Sequence, residues 1–154
     1  MAAIPNSNNR KKKSNGQWVD VVTVCQEAGD SIPVEIVSGS SNIEFDLADG
    51  TVSAIKAIYK TINGISQADK DINLAEATVI GISITGNTSG NQVKYQIIGR
   101  LEDSSFNFPL NDPLYLGNNG SITNVAPTTG YRTQIGSSLG TGAIKIQLEE
   151  PIEL

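Results

Sequence analysis

Asp69-Lys70-Asp71-Ile72-Asn73 is the stretch whose residue types and spacing come nearest to a known chemistry. Side-chain oxygens at alternate positions open a calcium loop, where hard oxygen ligands surround a hard cation. The rest of that loop does not follow. Its sixth position is Leu74, where the sharp turn needs Gly, and its twelfth is Ile80, where a bidentate Glu would close the shell. The stretch therefore reads as a solvated turn, and replacing Asp69 and Asp71 by Ala is expected to leave stability unchanged with or without calcium. Glu102-Asp103 and Glu149-Glu150 are adjacent pairs. Neighbours on a strand point to opposite faces, so adjacency does not build two carboxyls facing each other across a cleft. The chain has no histidine, which removes the standard Ser-His-Asp triad and the commonest transition-metal ligand. Its one cysteine, Cys25, lies in an apolar run and reads as a small buried hydrophobe. There is no phosphate-cradling loop ending in Gly-Lys-Ser/Thr and no His-Glu-x-x-His, and no base accompanies the many serines and threonines. The expectation is a protein that is not an enzyme, with no cofactor and no metal.

Composition points the same way. Hydrophobic content is 38% and charged content 18%, both low for an enzyme, while Gly, Ser, Thr and Asn are abundant. That mixture favours short strands and many loops over helices. With 154 residues the chain is long enough for one or two small domains with a real core. The net charge of −5 is unevenly spread. Arg10, Lys11, Lys12 and Lys13 form a basic cluster, and every acid follows Trp18. From Val19 onward, seven basic residues stand against sixteen acidic ones. An acidic body argues against nucleic acid or an anionic membrane as the main partner. No apolar run has the length of a membrane span, and none of signal-peptide length follows the basic cluster, so synthesis in the cytoplasm without signal-peptide export is expected.

The elements follow from period and punctuation. Residues 1–17 are polar, Asn-rich and basic, an extended arm that cannot offset its own ordering entropy and is expected to dock on a neighbour. Trp18 to Gln26 reads as a strand with apolar residues on both faces, and Ile32 to Val37 as a second. Ile43, Phe45 and Leu47 alternate with acids up to Asp49-Gly50, a two-residue hairpin signal, with Thr51 to Tyr59 as the return strand. Ser66 has the spacing of a helix cap, with Asp69 three residues on and a short helix near Leu74 to Ala77. Thr78 to Thr85 and Gln92 to Arg100 are further strands, and Phe106 and Phe108 in the following loop should cap a core or an interface.

The last third is turn-rich throughout. Leu114 to Leu116, Ile122 to Val125, Tyr131 to Ile135 and Ala143 to Leu148 are strand candidates, with Gly117-Asn118-Asn119-Gly120 and residues 126–130 as turns and residues 136–142 as a longer loop. Leu114, Leu116, Ile122, Ile135, Ile144, Ile146 and Leu148 should share one core. Pro151 should end the last ladder, with Ile152 and Leu154 buried beyond it, under their own lobe or against another subunit.

The run Asp112 to Thr123, Ala126 to Tyr131, Ile135-Gly136, Leu139 and Ile144 to Leu154 resembles the C-terminal β module of bacteriophage virion structural proteins, with a looser match from Ala77 to Ser83. Those proteins are tail or collar fibres, adaptors and capsid decoration proteins. The resemblance implies a non-catalytic virion protein of the tail, collar or baseplate region, assembled in the host cytoplasm as a homo-oligomer, a trimer in fibre-like members, with other virion proteins as partners. A capsid decoration protein is the alternative, and a receptor- or carbohydrate-binding adhesin domain is an alternative of another class. The expected fold is all-β, with two small antiparallel sandwich or barrel-like lobes (18–65 and 66–154), one short helix and the extended N-terminal arm (1–17). The expected partner-binding residues are Arg10, Lys11, Lys12, Lys13, Trp18, Ile152 and Leu154.

Overall fold

The computed structural model describes residues 42–154 and, before them, the backbone of two short strands. These are β1 (Lys13–Ser14) and β2 (Gln17–Trp18), which pair antiparallel with Lys13 opposite Trp18 and Ser14 opposite Gln17. The sequence between them is Asn15-Gly16, the dipeptide that two-residue hairpins favour. The arm expected to be extended thus has strand pairing of its own at its C-terminal end. Arg10 to Lys12, Cys25 and the strands expected at 19–26 and 32–37 lie outside the described residues, as do the side chains of Lys13 and Trp18.

The described body, 42–154, is all-β with one short helix. Its first sheet orders five strands as β3-β7-β6-β4-β5, every neighbour antiparallel. These are β3 (Ile43–Leu47), β4 (Ala57–Lys60), β5 (Ile65–Gln67), β6 (Gly81–Ser83) and β7 (Gln92–Gln96). The second sheet is β10-β9-β12-β13-β8, also antiparallel. It is built from β8 (Gly99–Glu102), β9 (Pro113–Leu116), β10 (Ile122–Thr123), β12 (Gln134–Ser138) and β13 (Ala143–Ile146). A two-stranded piece joins β11 (Tyr131–Arg132) to β14 (Ile152–Glu153).

Period two decides the burial. On β13, Ile144 and Ile146 are fully buried while Lys145 is exposed, and on β9 Leu114 and Leu116 are fully buried. With Ile135, Leu101 and Phe106 they meet Ala57 and Ile82 of the first sheet in one cluster, so the two sheets share a core. Ile122, Leu148 and Phe108 are partly buried against it. Of the seven apolar positions expected to share a core, five are buried in this cluster and Ile122 and Leu148 pack against it. A second cluster, with Ile58, Ile65, Val93 and Tyr95, lies on the other face of the first sheet. The boundary expected between residues 65 and 66 falls inside β5, and strands from both sides of it make up the first sheet.

Four local expectations give way. The Asp49-Gly50 hairpin does not form. Five consecutive residues of β3 pair instead with β7, from Ile43 opposite Gln96 to Leu47 opposite Gln92. Gly50 has φ 93°, but the chain only bends there; Ala48 then bridges Ile65 and Val52 bridges Asn87. This register puts Phe45 and Leu47 on the face of Lys94 and Gln92, and both are about half exposed. Ser66 caps nothing, since it sits within β5; α1 (Leu74–Ala77) is capped by Asn73, whose side chain accepts from the Glu76 N–H and donates to the Glu76 carboxylate. The strand expected over Gln92 to Arg100 is two strands in different sheets, broken where Gly99 takes φ 94°. Likewise, part of the loop expected at 136–142 is strand, because Gly136 to Ser138 continue β12 against β13.

Candidate functional site

The candidate site is built where the turn after β5, the turn after β9 and the C-terminal strand converge. Asn118–Gly120 forms a single 3-10 turn, with Asn119 at φ 54°, ψ 44° and Gly120 at φ 74°. Asn and Gly are the residues that tolerate this left-handed backbone, which is why the Asn-Asn-Gly run makes a tight turn. The turn is held by Asp69 and Asp71. The Asp69 carboxylate accepts from the Asn119 N–H at 2.8 Å, the Asp71 N–H at 2.9 Å and the Asn118 Nδ2 at 3.2 Å. The Asp71 carboxylate accepts from Asn118 Nδ2 at 2.7 Å and Lys70 Nζ at 2.6 Å. The Gly120 N–H donates to the Ala68 carbonyl at 2.5 Å. Asp69 and Asp71 therefore lock two distant turns together, which corrects the reading of a merely solvated turn. The Lys70 ammonium, and after it the Asn118 amide, hold the Asp71 carboxyl below the usual carboxylate range. Among the described residues no group of three or more His, Cys, Asp or Glu side chains is placed to hold a metal ion.

The C-terminal strand is anchored to the same junction. The Tyr131 N–H donates to the Lys70 carbonyl at 2.8 Å, and the Leu154 N–H to the Gly130 carbonyl at 2.9 Å. Gly130 lies at φ 77°, and a Cβ there would come 2.5 Å from the Lys70 carbonyl oxygen and also strike the Asp71 carboxylate. Only glycine lets the chain pass this close on its way into β11. Pro151 does not end the ladder of β13, which stops at Ile146, and a new strand starts after the proline: Ile152 pairs with Arg132 and Glu153 with Tyr131. Ile152 is 53% exposed and Leu154 48%. They are thus not buried under their own body, contrary to the first of the two expected placements. β14 pairs with β11 on one edge only, and beside it Tyr115, Arg132, Gln134, Glu149 and Ile152 line a shallow cleft of about 270 Å³.

A larger cleft, about 420 Å³, is lined in part by the loop at 125–129. Lys70 and Asn118 of the junction form part of its wall, and Val125 and Pro127 give it an apolar patch.

Of the remaining chemical candidates, Glu102 and Asp103 have structural partners. Glu102 pairs with Arg100 on one exposed face of β8 at 2.6 Å. The Asp103 carboxylate accepts from the Ser105 N–H at 2.9 Å, and the Ser105 side chain, then this backbone bond, lowers its pKa. Gly136-Ser137-Ser138-Leu139-Gly140 has the Gly-x-Ser-x-Gly spacing of a nucleophile elbow, but Ser138 is fully buried in β12. Its hydroxyl accepts from the Gly140 N–H at 2.9 Å and donates to the Phe108 carbonyl at 3.2 Å, which ties down two loops. Sequence reasoning missed the Asp69–Asn119 junction because its halves are fifty positions apart. It missed β14 because two residues show no period.

Among the described residues no helix is long and apolar enough to cross a membrane. No protein-family model matches the chain, and no curated protein matches it in sequence.

Proposed function

We propose that this chain is a non-catalytic structural protein of a bacteriophage virion, built into the tail, collar or baseplate region as a fibre or adaptor component and assembling as a homo-oligomer, a trimer in fibre-like arrangements. The reading rests on the resemblance across residues 112–154 and on one observation in that module. Its last strand, a two-residue ladder paired along one edge, carries Ile152, with Leu154 just beyond it, both about half exposed. An apolar strand edge left open is a template for another chain, which proteins use for assembly or else block. The basic residues Arg10 to Lys13, next to Trp18, are the second docking element of this reading.

The test is a stop codon after Glu150, with the oligomeric state read by sedimentation and incorporation read in purified particles. The shortened protein should remain folded, sediment as a monomer and be missing from particles. Normal assembly of the shortened protein would refute the role of β14. Copy number in the particle separates a tail or collar component, with few copies, from a decoration protein, with hundreds.

A further inference from the structure

Lys70, Asn118, Ser121, Thr123, Thr128 and Thr129 place one ammonium, one carboxamide and four hydroxyls around the 420 Å³ cleft. The volume lies in the range of small-ligand sites. Three features define what it would take. First, the wall is pre-formed. The Gly117 N–H donates to the Ser121 carbonyl at 2.8 Å, and the junction at Asp69 fixes Asn118 and Asn119, so little ordering is left to oppose binding. Second, its charge is already balanced. The Lys70 ammonium is 2.6 Å from the Asp71 carboxylate, and its side chain is only 16% exposed. A phosphate or carboxylate brought to Lys70 would meet Asp71 as well, and a cationic ligand would meet Lys70. Third, the polar groups include both donors and acceptors, and they stand beside an apolar patch formed by Val125 and Pro127.

A neutral ligand with many hydroxyls and one apolar C–H face fits this combination. We infer that the cleft is a saccharide-binding subsite that takes a neutral hexose-type ring, its hydroxyls bonded by the Thr128, Thr129 and Ser121 side chains and its C–H face against Pro127 and Val125. The inference rests on the cleft alone and does not depend on assembly through β14.

The test uses the full-length chain, isotope-labelled, titrated with D-glucose, D-galactose, D-mannose or N-acetyl-D-glucosamine while backbone amide shifts are followed by NMR. At least one sugar should give saturable shifts confined to residues 116–130, with a millimolar dissociation constant. Replacing Thr128→Val and Thr129→Val together removes two hydroxyls that hold no other structure and should weaken binding about tenfold, at an unchanged melting temperature. Ser121→Ala is the second variant and should weaken it in the same direction. Absence of saturable shifts with all four sugars would overturn the proposal. Saturable shifts that the double variant and Ser121→Ala both leave unchanged would also overturn it, as would inorganic phosphate moving the same amides where the sugars do not.

Discussion

Asp69→Ala is the sharpest test of the junction between the two turns. The side chain is partly buried and accepts three hydrogen bonds, two from backbone N–H groups at 2.8 and 2.9 Å and one from Asn118 Nδ2 at 3.2 Å. Alanine removes all three acceptor contacts at once. The Asn119 N–H is the one that matters most, since it belongs to a residue held at φ 54° and needs a reason to stay there. Hydrogen bonds to a charged group contribute about 1.5–3 kcal/mol each when sheltered, and water can replace part of that here, so the net loss should be about 1–3 kcal/mol. A loss of 1 kcal/mol lowers Tm by about 4–8 °C in a domain near 100 residues. Urea denaturation followed by circular dichroism, with a thermal melt beside it, reads the change directly. Asp69→Asn keeps one acceptor oxygen and should recover a good part of the loss. Asp71→Ala should cost less than Asp69→Ala, because Asp71 is exposed and bonded only to side chains. If Asp69→Ala stays within about 0.5 kcal/mol of the wild type, the range of an ordinary surface substitution, the junction contributes nothing and the solvated-turn reading stands. A calcium-dependent rise in Tm that disappears in the double alanine variant would show instead that the carboxylates are free to hold a cation.

Ile144→Ala, at a fully buried position in the core shared by both sheets, should cost about 2–5 kcal/mol in chemical denaturation; Ile152→Ala, at a half-exposed position, should stay within about 0.5 kcal/mol in the isolated chain. Gly130→Ala should cost at least about 1–2 kcal/mol, because alanine is penalised at φ 77° and its Cβ would meet the Lys70 carbonyl; faster hydrogen exchange at the Leu154 amide should accompany it. The carboxyls of Asp46, Asp71 and Asp103 are depressed, chiefly by hydrogen bonds from Lys60, Lys70 and Ser105 respectively. A depressed carboxyl stabilises the fold fully above its unfolded pKa of about 3.9 and loses that contribution as pH falls through the folded value. Stability should therefore decline on the acid side, and Lys60→Met should flatten part of that decline; a stability that rises steadily below about pH 4 would contradict the pairing.

Local chemistry settled much of this protein from sequence alone. Strands with period two and turns rich in Gly and Asn specify an all-β chain, because side-chain alternation and tolerance of positive φ are properties of single residues and their neighbours. The same alternation marked Leu114, Leu116, Ile135, Ile144 and Ile146 as core, and all five are fully buried. Positive φ is found at Gly120, Gly130 and Gly136 of that module. What sequence could not settle is which strand pairs with which. Asp49-Gly50 has the local form of a hairpin, yet β3 finds a five-residue ladder with β7 some fifty positions away, and that pairing leaves Phe45 and Leu47 exposed. The role of Asp69 depends on Asn118 and Asn119, and that of β14 on Tyr131 and Arg132, none of them near in the chain. Each of these outcomes comes from competition among all possible ladders and contacts for the same backbone groups, and only the folded chain resolves that competition.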